Sequence, residues 1–278
     1  MRYDFWGTYK MDIIREAVRK FSESGPSPNE SAEEIRVLES NSLVTSQTNE
    51  FESNDPLSAD ELSDRRIAHG AMRDENVYSA FSRLRTHIVQ KLGKTNCSVV
   101  VASVCPGGGA SFVAMNLAAA FASDTTRTAL LMDCNFSGDR FEQLGDDKSV
   151  PGITDFIYGT ASASLNDLMM DIGVSRLRLL PGGRMRSSRS EFFTRPRAKQ
   201  MFEEICTSNP NRAVIVDVPP PSMSAYSNVI ATYCDAVLLV VPYGQVTQQD
   251  VRVAARSFPR EKIVGSVFND IPHWRTAR

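Results

Sequence analysis

Ser103-Val104-Cys105-Pro106-Gly107-Gly108-Gly109-Ala110-Ser111 stands between two runs of different character. Before it, Cys97 to Ala102 (CSVVVA) is apolar and β-branched, as in a buried strand. After it, Phe112 to Ala122 (FVAMNLAAAFA) is rich in Ala and free of Gly and Pro, as in a helix. Glycines at a strand-to-helix turn carry no Cβ, so successive backbone N–H groups converge on an anion, and the helix adds the positive end of its dipole. The stretch reads as a phosphate-binding loop. The usual pattern ends G-K-[ST]; here it ends Gly109-Ala110-Ser111, so an alanine stands where a lysine reaches the β- and γ-phosphates. Ser111 keeps the hydroxyl position that reaches Mg²⁺, and Gly107, Gly108 and Gly109 keep the cradle. One charge-assisted hydrogen bond contributes roughly 1.5–3 kcal/mol, so the missing lysine weakens triphosphate binding by about ten- to a hundredfold.

Composition bounds the rest. With 278 residues, 42% of them hydrophobic, and a formal net charge of -2, the chain holds one substantial α/β core plus a tail. The balanced charge argues against a general nucleic-acid binder. No apolar run reaches membrane-spanning length and the first residues lack a secretory h-region, so a cytoplasmic protein is expected. The five cysteines are scattered without metal-ligand spacing and read as free thiols.

Along the chain, Met11 to Phe21 has helical amphipathic spacing, and Ser22 to about Leu57 is acidic and rich in Ser and Asn, the composition of a flexible linker. A short helix closed by Gly70 is expected over Asp60 to Ala71. These features divide the chain into a tail and linker, residues 1–70, and a folded domain, residues 71–278. Asn76 to Leu92 is an amphipathic helix with Tyr78 or Phe81, Leu84 or Arg85, Ile88 and Leu92 on its apolar side. Thr128 to Cys134 is a strand delivering Asp133, and Arg212 to Asp217 is another delivering Asp217. Carboxylates at strand ends are where open parallel sheets place ligand-binding groups, so Ser111, Asp133 and Asp217 form the expected Mg²⁺ set. Two helical pieces are expected within Gly152 to Ile172, strands at Leu177 to Leu180, Ala236 to Val241 and Ile263 to Asn269, and helices over Arg197 to Ser208 and Thr247 to Ser257. Arg184, Arg186 and Arg189 mark a basic surface loop. Alternating strands and helices with nearly continuous apolar strands give a parallel sheet covered on both faces.

This order resembles the MinD and ParA class of P-loop ATPases, and within it the bacterial tyrosine autokinases of capsule and exopolysaccharide synthesis, the CpsD and CapB type. The resemblance runs from about Asn76 to Pro272. The family's S-x-x-P-G-E-G-K-[ST] matches Ser103 to Ser111, including Pro106; its D-x-D matches Asp133-Cys134-Asn135; its D-[ST]-P-P matches Asp217-Val218-Pro219-Pro220; its leucine-proline-glycine segment matches Leu180-Pro181-Gly182. The resemblance implies ATP or ADP with Mg²⁺ as ligands, Asn269 beside the adenine, self-association, and an inner-membrane polysaccharide copolymerase as partner, through which the chain would be peripheral to the membrane.

The departures fall on chemistry. Ala110 replaces the lysine, Asn135 the second aspartate of D-x-D, and Val218 the Ser or Thr. Ser79, Ser82 and Arg85 stand where the family's ring-forming E-x-x-R-x-x-R stands, so only its last arginine remains, and no tyrosine follows Tyr243. A pseudokinase-like regulator or scaffold of exopolysaccharide export is the first expectation, with weak nucleotide binding. A divergent ATPase or tyrosine kinase, in which Arg184 or Arg186 replaces the lysine, is the alternative. A positioning ATPase of the MinD and ParA type is the third, weakened because Val104 stands in the region where those carry an extra lysine.

Overall fold

The computed structural model describes residues 53, 55–70, 75–94, 96–136, 141, 150–160, 164–183 and 192–271. The expected N-terminal helix, nearly all of the linker, the loop carrying Arg184, Arg186 and Arg189, and the residues after Ile271 lie outside them. The chain divides into units of residues 1–43 and 44–278, and every described residue belongs to the second.

Seven strands form one sheet: β1 Cys97–Ser103, β2 Thr128–Asp133, β3 Met170–Asp171, β4 Leu177–Leu180, β5 Arg212–Val218, β6 Ala236–Pro242 and β7 Ile263–Asn269, in spatial order β3-β4-β2-β5-β1-β6-β7. Every pairing is parallel except β3 with β4, which is antiparallel. The parallel sheet with helices on both faces expected from the sequence is present, and the short β3, which the sequence reading did not include, adds an antiparallel edge. Two residues are too few to leave a periodic signal.

The helices are α1 Ala59–Asp64, α2 Glu75–Leu92, α3 Ala110–Ala122, α4 Ile153–Tyr158, α5 Pro196–Thr207, α6 Tyr226–Tyr233 and α7 Gln248–Arg256. Successive strand side chains alternate between faces. Val99, Val101, Leu131, Ile215 and Leu238 meet α2 and α3 on one face. Val100, Ala102, Leu130, Val216 and Leu239 meet α4, α5 and α6 on the other. This double covering explains why the strands read as continuous apolar runs. The second expected helical piece before Ile172 is a 3-10 turn, Asn166–Leu168. Helix α6 escaped the sequence reading because YSNVIATY is β-branched and aromatic and its N-cap, Ala225, makes no side-chain cap.

The segment before α2 differs from expectation in a way that matters below. A capping box starts α1, with Glu61 N–H donating to Ser58 Oγ at 3.3 Å and Ser58 N–H donating to Glu61 Oε2 at 2.9 Å. The helix then ends at Arg65 rather than at Gly70. Arg66 takes a left-handed conformation (φ 57°) and turns Ile67 and Ala68 into the core. Asn116, buried in the middle of α3, accepts from Ala68 N–H at 2.6 Å and donates through Nδ2 to the carbonyls of Arg66 at 3.1 Å and Phe112 at 2.9 Å. A strap of residues before 71 is therefore bonded to the helix that follows the phosphate loop.

Candidate functional site

The loop between β1 and α3 holds the expected strand-to-helix geometry. Gly107 (φ 72°) and Gly109 (φ 92°) both take the left-handed conformation that glycine tolerates, and Gly109 is the N-cap of α3. Pro106 and Gly107 are exposed, whereas Gly108 is buried. A Cβ on Gly108 would collide with Ser103 Oγ and press on Pro242 Cδ and Cys105 O, both at 3.2 Å. Its N–H donates back to Cys105 O at 3.3 Å, so that amide is held inside the loop. Burial pushes the Cys105 thiol above its ordinary range, and the Asp250 carboxylate adds to the shift; the cysteine is not an activated nucleophile.

Ala110 is 6% exposed and packs with the α2 and α3 core cluster. The position that carries a lysine in the P-loop pattern is thus filled by a methyl turned into apolar surroundings. Ser111, one residue on, donates from Oγ to Asp217 Oδ2 at 2.6 Å. The sheet explains this contact. Asp217 sits opposite Asp133 in the β2–β5 register and opposite Val101 in the β1–β5 register. Both carboxylates follow residues that face α4, α5 and α6, so both project to the α3 side, where the first turn of α3 begins. The structure brings Ser111 and Asp217 together as a bonded pair and places Asp133 in register beside Asp217.

Asp133 Oδ1 accepts from Asn135 N–H at 2.9 Å, an Asx turn that shapes the chain leaving β2. Cys134 N–H donates to Asp217 O at 2.9 Å, and Tyr226 Oη donates to Cys134 O at 3.1 Å, tying β2, β5 and α6 at the same edge. Val218 is fully buried among apolar side chains, so the Ser or Thr of the resembling motif is replaced by a packing residue. The Leu180-Pro181-Gly182 segment lines this edge too: a Cβ on Gly182 would meet the Phe136 ring at 2.9 Å and Asp133 O at 3.1 Å, and Ile153 N–H donates to Pro181 O at 2.9 Å.

Asn269, expected beside an adenine, lies against the loop itself. Its Nδ2 donates to Gly108 O at 3.2 Å, and a Cβ on Gly109 would run into the same amide. Two participants were not assigned by the sequence reading: Ser103, whose hydroxyl lies under Gly108, and Pro242, which walls it from β6. Their signal is positional, since each ends an apolar strand run adjacent to the loop.

These residues fit a phosphate more fully than they fit Mg²⁺-ATP. The left-handed glycines leave the loop without Cβ atoms, and Ser111, Asp217 and Asp133 supply hard oxygen donors suited to a hydrated Mg²⁺. Among the described residues, no cluster of three or more His, Cys, Asp or Glu side chains is arranged to hold a metal ion by itself. The remaining ligands of a Mg²⁺ would come from phosphate and water. No helix among the described residues is long and apolar enough to cross a membrane.

No family model matches the chain. The tyrosine-protein kinase CpsD of Streptococcus agalactiae is 28% identical over 198 residues, covering 69% of this chain and 82% of that protein. Among solved structures, the kinase domain of the Escherichia coli tyrosine kinase ETK superposes with a TM-score of 0.64 at 21% identity, covering 79% of this chain and 89% of that domain. A chain of the MinC:MinD cell division protein complex of Aquifex aeolicus superposes with a TM-score of 0.50 at 20% identity, covering 64% of this chain and 70% of that one. The sheet and its covering helices agree with these likenesses in fold. In sequence and in fold the chain is similar to the bacterial tyrosine autokinases of capsule and exopolysaccharide synthesis.

Proposed function

We propose that this chain is a pseudokinase-like member of the family, a regulatory or scaffolding component of exopolysaccharide or capsule biosynthesis and export that works beside an inner-membrane polysaccharide copolymerase. The observation that carries this reading is the state of position 110: the cation that would neutralise the β- and γ-phosphates is absent, and the alanine in its place is part of the core. In phosphoryl transfer, catalysis rests on positioning and on stabilising charge that develops on the transferred group. The loss therefore weighs more on turnover than on binding. Val218 removes a hydroxyl, and Asn135 a negative charge, from the same edge. The remaining cradle supports weak binding of ATP or ADP with Mg²⁺. Loss of the family's ring-based activation fits this reading as well, because Arg85, the last arginine of the ring-forming motif, donates from Nη1 to Ala120 O at 2.8 Å, within its own chain.

A second reading, a divergent ATPase or tyrosine kinase, is favoured by one observation, the intact Ser111–Asp217 bond with Asp133 in register. An assay of ATP hydrolysis and autophosphorylation by the purified full chain, with and without a copolymerase's cytosolic segment, separates the two. The pseudokinase reading expects no activity above a Ser111→Ala control. Activity well above that control establishes the enzyme.

A further inference from the structure

We propose that Asn269 is a positioning residue of the phosphate loop, whose contribution falls on the polyphosphate and not on the base. The proposal deepens the reading of this loop as a nucleotide site and rests on it. Asn269 is the last residue of β7, in register with Pro242 of β6, and its carbonyl accepts from Tyr243 N–H at 2.8 Å. Its backbone is thus fixed by the sheet, and its side chain reaches sideways to Gly108 O at 3.2 Å. The peptide joining Gly108 to Gly109 is planar and trans, so its N–H points opposite to its carbonyl. Anchoring Gly108 O on Asn269 aims Gly109 N–H away from β7. Ser103 and Pro242 close the space that a side chain on Gly108 would need. The last residues of β1 and β6 thus border Gly108, and Asn269 at the end of β7 anchors its carbonyl, independently of any lysine.

This arrangement explains the glycines. Gly108 cannot carry a side chain between Ser103 Oγ, Cys105 O and Pro242 Cδ, and Gly109 cannot carry one against the Asn269 amide at φ 92°. Preorganised donors raise anion affinity because nothing must be ordered when the ligand arrives. A loop that has lost its cation depends more on such preorganisation.

The test uses the full chain with Ala110→Lys, where affinity is raised, and two probes: Mg²⁺-ATP and inorganic tripolyphosphate, which has no base. Asn269→Ala is expected to lower affinity for both by the same factor, about three- to tenfold, the effect of one hydrogen bond. Asn269→Asp, isosteric but with a carboxylate in place of the donor that also repels the anion, is expected to lower both at least as far. Loss of ATP affinity with tripolyphosphate unchanged overturns the proposal and makes Asn269 a reader of the base; no loss for either probe overturns it outright. If the lysine variant binds neither probe, the nucleotide reading has failed, and the brace is judged by hydrogen exchange in the otherwise unmodified chain. There Asn269→Ala is expected to speed exchange of the Gly107 to Ser111 amides while those of β1 and β5 stay unchanged. Unaltered loop exchange overturns the brace.

Discussion

Ser111 Oγ and Asp217 Oδ2 lie 2.6 Å apart, a hydrogen bond joining the first turn of α3 to the end of β5 across 106 positions of sequence. It ties the phosphate loop to the central strands by a short contact to a buried carboxylate. Ser111→Ala removes the donor from a charge-assisted bond and is expected to destabilise the domain by about 1.5–3 kcal/mol. Ser111→Thr keeps the hydroxyl and should recover most of that. Urea unfolding monitored by circular dichroism reads both; equal stabilities for parent and Ser111→Ala would show the bond to be energetically idle.

Asn116 gives a second expectation. Its amide satisfies Ala68 N–H and Arg66 O, and Ile67 beside them is fully buried. Asn116→Ala leaves those backbone groups without this partner, at a cost of about 1–3 kcal/mol. Because α1 buries none of its residues, the strap should open before the sheet does. Limited proteolysis of the variant is expected to cut within residues 57–69 while the remainder resists. Cleavage no faster than in the parent contradicts a clamp at Asn116.

Asp235 supplies a pH dependence. Burial disfavours its charge, but the Lys94 ammonium at 2.7 Å and the Ser98 N–H and hydroxyl at 2.8 and 2.9 Å outweigh that and hold its carboxyl below the usual range. A depressed folded-state value means the contribution is present above the unfolded value, about 3.9, and is lost as pH falls through the folded one. The stability difference between parent and Asp235→Asn should therefore shrink between about pH 5 and pH 3. A difference that is constant or grows on acidification contradicts the assignment.

The strand-turn-helix at the loop was legible because its glycines are bounded by a β-branched run and an Ala-rich run, and Asp133 and Asp217 because each ends an apolar strand. The bonded pairing of Ser111 with Asp217 needs the strand order β2-β5-β1, which no local signal carries. The strap was hidden for the same reason: Asn116 sits within an apolar helix and nothing nearby names Ala68 as its partner, 48 positions away. Asn269 was placed by resemblance beside an adenine, and its contact with Gly108 O was not legible, because it depends on the β6–β7 register.

Restoring the cation tests whether the missing groups are the main obstacle. Ala110→Lys with Asn135→Asp should raise Mg²⁺-ATP affinity at least about tenfold, the worth of one charge-assisted bond. The lysine must extend out of the packed position of Ala110, keeping its stem in apolar contact and its ammonium at the loop. Turnover is expected to lag, since Val218 stays buried. A folded double variant that binds no better than the parent would mean the pocket itself is closed.

The most direct test is calorimetric titration of the unmodified full chain with Mg²⁺-ATP, run beside a family member that carries the loop lysine. The account predicts binding at least about tenfold weaker than the relative's, or none over the range in which the relative saturates. Tight, Mg²⁺-dependent binding equal to the relative's would contradict it and return this chain to the active kinases.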